Sequence, residues 1–453
     1  MEYVEVESGK LHGLTKEGYT AFLSIPYAAP PTGALRWAPP RPALPWQGVR
    51  EATHFGPRAW QGAPPPDKPQ EARDRSHCTE IDYRWEFHSS SEFPDTEESE
   101  DCLVLNVWTP AKSAEERLPV AVWIHGGAFA NGSGHEMEFD GAEYARRGIV
   151  LVTVNYRLGM MGFFCHPGLI AEQGSCGNYG LMDQTAALRW VQRNIAAFGG
   201  DPERVTLFGQ SAGCISVELQ CTMAKEEPLF RQVILQSGGG YDTPFQSTVA
   251  AGDCREAAEQ GLVWGEKYFH TRDIECLRNV PPSDLRRALM EGQAELHNAN
   301  GETSRAGLPF LMPVTDGKGI HGALDQQIRD GQIVKVPTII GSNSEDLVPE
   351  QMRQGSLNWA FRMQELEAPP VYVYEFTHQP LGDRVGAFHS CELWYMFGTL
   401  ERSWRPKNDA DYALSREMLN RWAAFIKTGS PNGNGLSNWE PCTAEAPCVY
   451  RFE

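Results

Sequence analysis

Long apolar runs are missing from this chain of 453 residues. No stretch approaches the roughly 20 consecutive apolar residues that a membrane-crossing helix needs, so no membrane span is expected. Positive charge is scarce: 40 Lys and Arg stand against 59 Asp and Glu, a formal net charge of −19. That balance argues against nucleic acid, and against an anionic membrane surface, as the main partner. The opening Met1-Glu-Tyr-Val-Glu-Val-Glu7 lacks the basic and apolar regions of a secretory leader. A cytoplasmic protein is therefore expected, or a secreted one if a leader has been removed. The cysteines number eleven, an odd count, and none falls into paired C-x2-C zinc spacing. Neither a metal nor an organic cofactor is implied by any motif. There is no internal repeat and no low-complexity tract. What remains is 41% hydrophobic and globular, long enough for a large core or two domains.

One stretch organises the rest, Val205-Thr-Leu-Phe-Gly-Gln-Ser-Ala-Gly213. It reads as a short apolar strand, a G-x-S-x-G pentapeptide, and a helix opening at Cys214. In that context the pentapeptide is a nucleophile elbow, a sharp strand-to-helix turn that holds a serine hydroxyl out at the top of a sheet. Ser211 must then take a strained backbone conformation, and the flanking glycines leave room for the neighbouring strand and helix. The Ala212 N–H falls at a helix N-terminus, where it can face a developing oxyanion.

Around this stretch, apolar strands alternate with helical patterns. Short edge strands are expected within residues 1–30. Strands follow at 102–108, 119–125, 149–156, 205–208, 232–236, 336–340 and 371–376. A helix runs from about Asn178, with Leu181, Leu188, Val191 and Ile195 as its apolar stripe and Gln184, Arg189, Gln192 and Arg193 toward water. It ends at Phe198-Gly-Gly200, glycine supplying the left-handed cap. A second amphipathic helix spans 412–427. Residues 60–100 form a polar, proline-bearing excursion on the surface, and 250–300 a helical region over one end of the sheet. The alternation implies an α/β fold, a mostly parallel central sheet with helices on both faces, read as one domain over 1–453.

A serine nucleophile needs a base and an orienting acid from separate loops. The strand at 119–125 ends in His125-Gly-Gly-Ala-Phe129, a glycine turn whose backbone N–H groups can point into a cleft. Gly127 and Ala128 are the candidate oxyanion donors and Gly126 the turn former; His125 is read as structural. For an elbow of this type the chain order is Ser, acid, His. The strand at 336–340 runs into Gly341-Ser-Asn-Ser-Glu-Asp346, so the acid is Asp346 or Glu345. The strand at 371–376 precedes Gly386-Ala-Phe-His389, so the base is His389. His378 lies too close to its strand end, His321 breaks the order, and Asp316 reads as a turn aspartate.

With these residues in hand the chain resembles the type-B carboxylesterases, the family of cholinesterases and fungal lipases. The resemblance runs from about residue 3 to 450. It is carried by Ser99-Glu-Asp-Cys-Leu-Val-Leu-Asn106, Trp123-Ile-His-Gly-Gly-Ala-Phe129, Asn155-Tyr-Arg-Leu-Gly159, Gly177-Asn-Tyr-Gly-Leu-Met-Asp-Gln184, Phe208-Gly-Gln-Ser-Ala-Gly213, Gln236-Ser-Gly238 and Ala387-Phe-His-Ser-Cys-Glu392. It implies an α/β-hydrolase fold and hydrolysis of small-molecule esters through Ser211, His389 and an acid, which the family pattern aligns with Asp346. Gln210, Ser237 and Glu392 fall where the family places groups that support the triad. It further suggests a Cys78–Cys102 disulfide in an oxidising compartment. Amide or carbamate hydrolysis by the same triad, or a cholinesterase-like binding module without catalysis, are the alternative readings. Three departures stand out. Gln210 replaces the usual Glu before the serine. Asp346 stands where Glu is common. Only 43 residues separate Asp346 from His389, which suggests a shallower site or one completed by another subunit.

Overall fold

The computed structural model describes residues 1–61, 97–300, 311–381, 386–403, 405–433 and 435–453. Most of the 60–100 excursion, and Cys78 with its proposed disulfide, lie outside the described residues.

The described strands are β1 (Tyr3–Val6), β2 (Gly9–Lys16), β3 (Tyr19–Pro26), β4 (Val49–Ala52), β5 (Arg58–Ala59), β6 (Glu98–Ser99) and β7 (Val104–Thr109). They continue with β8 (Leu118–Ile124), β9 (Val150–Val154), β10 (Gly200–Gln210), β11 (Gln232–Gln236), β12 (Thr338–Asn343), β13 (Val371–Phe376) and β14 (Val449–Phe452). Twelve of them form one sheet in the order β1-β2-β3-β7-β9-β8-β10-β11-β12-β13-β14, with β4 paired to β2. From β9 to β14 every pairing is parallel, while β1, β2, β3, β7 and β9 pair antiparallel in turn. The composition of each strand follows its place. Central β9 and β11 are buried at every residue, whereas edge strand β1 alternates exposed and buried.

Side chains alternate between the two faces of the sheet and feed two apolar layers. Val122 and Ile124 of β8 point to a layer with Leu181, Leu188, Trp190 and Val217. Trp123, between them, points to the opposite layer with Phe208, Ile234, Trp422 and Phe425. The helices Tyr179–Asn194 and Ala212–Met223 thus cover one face and Asp409–Thr428 the other. A third cluster, built on Trp37, Phe164, Trp264, Leu277 and Leu285, joins the helices Cys254–Phe269, Ile274–Arg278 and Pro282–Asn300 to the body.

Gln184 corrects the expected water-facing side of its helix. It is fully buried, and its amide donates to Ser216 Oγ at 3.0 Å, tying the helix to the one that follows the elbow. A long polar side chain satisfied by a neighbouring helix is indistinguishable by periodicity from a solvated one. The expected glycine cap holds, with Gly199 left-handed at φ 75°. Cys442 and Cys448, close enough in sequence to pair, are both free thiols.

Candidate active site

The elbow is built by backbone contacts that leave no room for side chains. Ser211 sits at φ 58°, ψ −128° between β10 and its helix. That conformation costs a non-glycine residue about 1–3 kcal/mol, so its surroundings must impose it. They do: the Ser211 N–H donates to Gln236 O at 2.9 Å, and the Ser211 carbonyl accepts from Ile215 at 3.0 Å. A Cβ on Gly213 would lie 2.1 Å from Ile124 O, and one on Gly209 would lie 2.5 Å from Gly213 O. Both glycines of the pentapeptide are therefore demanded by close packing of β8, β10 and the helix. Ala212 opens the helix, so its N–H has no carbonyl four residues back within it.

The glycine loop after β8 meets the elbow directly. A Cβ on Gly126 would stand 3.1 Å from Ser211 Cβ and 2.8 Å from Gln210 O. Gly127, Ala128 and Phe129 follow in the positive-φ region at 95°, 52° and 59°. This left-handed run turns the backbone back beside the nucleophile. His125 is part of the support. Its ring stacks on Tyr156 with centroids 4.4 Å apart, and the Tyr156 hydroxyl donates to His125 O at 2.9 Å.

Parallel pairing of β12 with β13 brings the loops after them together. The His389 ring is buried, with Nδ1 2.5 Å from Asp346 Oδ1. An ionised carboxylate only accepts, so Nδ1 carries the proton and donates. Asp346 is further fixed by N–H groups of Leu347 at 2.8 Å and Asn343 at 3.1 Å. The ring's other nitrogen, Nε2, faces the side-chain amide nitrogen of Gln210 at 3.3 Å. Burial alone would depress the His389 pKa, but the charge and hydrogen bond of Asp346, with the charge of Glu392, outweigh it and hold it above 6.5. Burial pushes Asp346 upward. The charge and hydrogen bond of His389, then Ser237 and the Leu347 N–H, reverse this and leave it below 3.8. The buried Ser237 hydroxyl makes that contribution at a geometry looser than a proper hydrogen bond.

The rivals separate cleanly. Glu345 is exposed, and its backbone N–H donates to Ala387 O at 3.0 Å. His378 Nε2 pairs with Asp411 Oδ1 at 2.8 Å, on the helix Asp409–Thr428. Asp316 accepts from the N–H groups of Lys318, Gly319 and Ile320, each at 2.9 Å, which makes it a turn aspartate. His321 is exposed.

Behind the pair lies a polar network. Asn343 Nδ2 donates to Glu392 Oε2 at 2.6 Å and to Phe388 O at 2.7 Å. Gln236 Nε2 donates to Glu392 Oε1 at 3.3 Å, and Trp422 Nε1 to Gln236 Oε1 at 3.2 Å. Burial raises the Glu392 pKa to about 7, opposed by the Asn343 hydrogen bond and reinforced by the Asp346 charge. Asn343 and Gln236 are absent from the sequence-derived candidates. Their one signal was position, at the ends of two adjacent strands beside the elbow. Among the described residues no cluster of His, Cys, Asp and Glu could hold a metal ion, and no helix is long and apolar enough to cross a membrane.

Known proteins share this arrangement of the chain. The profile of the Carboxylesterase family matches residues 1–354 and 349–453. The para-nitrobenzyl esterase of Bacillus subtilis is 32% identical over 477 residues, covering 97% of this chain and 92% of its own. The fumonisin B1 esterase of Sphingopyxis macrogoltabida is 31% identical over 478 residues, covering 96% and 83%. Among solved structures, a Geobacillus stearothermophilus carboxylesterase superposes with a TM-score of 0.78 at 28% identity, covering 100% of this chain and 96% of its own. On the family match, with relatives above 30% identity along nearly the whole chain, this protein is a member of the carboxylesterase family and a carboxylic ester hydrolase.

Proposed function

We propose that Ser211, His389 and Asp346 form the catalytic triad and that hydrolysis proceeds through an acyl-enzyme. The observation that carries this reading is the buried His389–Asp346 pair at 2.5 Å. The Nε2 edge of the same ring reaches Gln210, the residue preceding Ser211 in the elbow. His389 Nε2 takes the hydroxyl proton as Ser211 Oγ bonds to the ester carbonyl carbon. Asp346 holds the Nδ1–H tautomer and balances the imidazolium. The oxyanion is received by N–H groups of Gly127, Ala128 and Ala212, with Gly126 making room for the approach. Losing one such donor costs about 3 kcal/mol in the barrier. The alkoxide leaves with the proton from His389. Water then gives a proton back to His389 and its oxygen to the acyl carbon, releasing the acid and restoring Ser211.

The test is hydrolysis of p-nitrophenyl acetate, butyrate and octanoate by the parent and by Ser211→Ala, with fluorophosphonate labelling alongside. The parent is expected to turn over and to take one label at Ser211, and the variant to do neither. Turnover that persists in Ser211→Ala would sink the proposal.

A further inference from the structure

Gln210 is the last residue of β10 and is buried. Its side chain touches both halves of the site. The amide nitrogen lies 3.3 Å from His389 Nε2. The amide oxygen lies 3.2 Å from where a Cβ on Gly126 would stand. With Nδ1–H committed to Asp346, the ring's remaining nitrogen carries a lone pair, and an amide N–H is a suitable donor to it.

We propose that Gln210 is a positioning residue, donating from its carboxamide N–H to Nε2 of neutral His389 while its carbonyl end rests against Gly126. One side chain then ties the base to the glycine loop and secures the tautomer that Asp346 requires. This deepens the triad reading and rests on it. During reaction the Nε2 lone pair is handed from the Gln210 N–H to the Ser211 hydroxyl. Once Nε2 carries the Ser211 proton it is a donor aimed at the leaving oxygen, and it no longer offers the Gln210 N–H a lone pair. A carboxylate at this position could never donate to the neutral ring and would favour the imidazolium instead. Gln210 is thus chemically distinct from a glutamate of the same shape.

Among the described residues the charges of Asp346 and Glu392 act on His389. On the neighbouring residues, the Arg405 guanidinium lies 4.8 Å from the Phe388 ring centroid and Cys391 Sγ lies 3.7 Å from Asn343 Nδ2. Tyr374 on β13 lies within reach of Glu392, Cys214 and Asp346, and the helix after the elbow carries Cys214 and Glu218.

The experiment uses the full chain with Gln210→Glu and Gln210→Met. In Gln210→Glu the acid limb of kcat/KM for p-nitrophenyl butyrate is expected to rise by about one pH unit. In Gln210→Met, kcat is expected to fall several-fold at unchanged KM. In histidine-labelled protein above the acid limb, the nitrogen-15 signal of His389 Nε2 should move downfield, because its donor is gone. A limb in Gln210→Glu within about 0.2 unit of the parent overturns the proposal. So does an unmoved Nε2 signal, or a kcat that holds or rises, in Gln210→Met. Should Gln210→Met fail to fold, the isosteric Gln210→Glu carries the test alone. Ser211→Ala keeps the two proposals apart: its residual turnover bears on the triad, and the Gln210 results bear on the positioning role.

Discussion

Replacing Asp346 by Asn changes one charge and no volume, and the structure says what must follow. Oδ1 of Asp346 accepts from His389 and from the Leu347 N–H, and Oδ2 accepts from the Asn343 N–H. A carboxamide keeps one oxygen, so whichever way it turns its NH2 group meets a fixed backbone donor. An orphaned buried N–H costs about 1–3 kcal/mol in stability. The larger loss is catalytic. On the proposed triad, the imidazolium formed as Ser211 attacks loses its counter-charge inside a buried site, and turning the amide toward Nδ1 selects the wrong tautomer. A drop in kcat of about 10⁴, or roughly 5 kcal/mol, is expected. The pH profile supplies a second reading. On the proposed triad, activity needs neutral His389, whose pKa lies above 6.5 chiefly because Asp346 overcomes burial. The parent's acid limb should therefore lie above 6.5, with activity rising as pH climbs through it. In Asp346→Asn the limb should move down. Steady-state hydrolysis of p-nitrophenyl butyrate from pH 5 to 9 measures both, with exposed Glu345→Gln as control. A variant within about tenfold of the parent, or an equal loss in Glu345→Gln, would refute the assignment of the acid.

Glu392 should make stability depend on pH. Its folded pKa is raised to about 7 from 4.5, so the unfolded chain releases its proton first as pH rises. Stability is then lost between about pH 4.5 and 7 and the penalty, on the order of 3 kcal/mol, is complete above that window. Glu392→Gln should flatten this slope in urea unfolding at pH 5 and 8, and parallel curves for variant and parent would count against it. Gly213→Ala places a methyl 2.1 Å from the Ile124 carbonyl oxygen, against strand backbone that cannot yield. We expect more than about 4 kcal/mol of destabilisation, read as a large fall in melting temperature; a shift of a degree or two would contradict the packing described.

The elbow turn and the glycine loop were legible because their geometry is local. Each glycine answers to a contact within one strand–turn–helix unit or its neighbour strand. The choice between Asp346 and Glu345 was not legible from the residues alone. Adjacent side chains leave a loop in opposite directions, and which one points inward is set by a bridge between Glu345 and Phe388, in the same 43-residue register as Asp346 and His389. The Asp411 partner of His378 was equally hidden, because it stands on a helix 33 residues further on. The helix Pro349–Glu365 escaped the sequence reading altogether. Gly355 lies inside it, and glycine within a helix costs about 1 kcal/mol. The structure gives the reason for that residue: a Cβ there would lie 1.8 Å from Gly239 O. Glycine weakens the local signal at the point where the helix must press against the loop after β11. Strand β14 was missed for a different reason, since four residues paired on one side carry little pattern of their own.

That same helix explains how so short a segment can join the proposed acid and base. Asp346 and His389 follow β12 and β13, which are adjacent and parallel, so the minimum connection between them is one helix crossing over the sheet. Pro349–Glu365 is that crossover, beginning three residues after the acid and packing Trp359, Ala360 and Met363 into the core. The loops then close on each other without further chain. The Glu345 N–H donates to Ala387 O at 3.0 Å, and Asn343 Nδ2 reaches Phe388 O at 2.7 Å. These two bonds flank the Asp346–His389 contact and hold acid and base loops as one unit. The separation of 43 residues is therefore enough to bring Asp346 and His389 into contact. Additional length inserted between the helix and β13 would add surface around the site without entering the geometry of the acid and base.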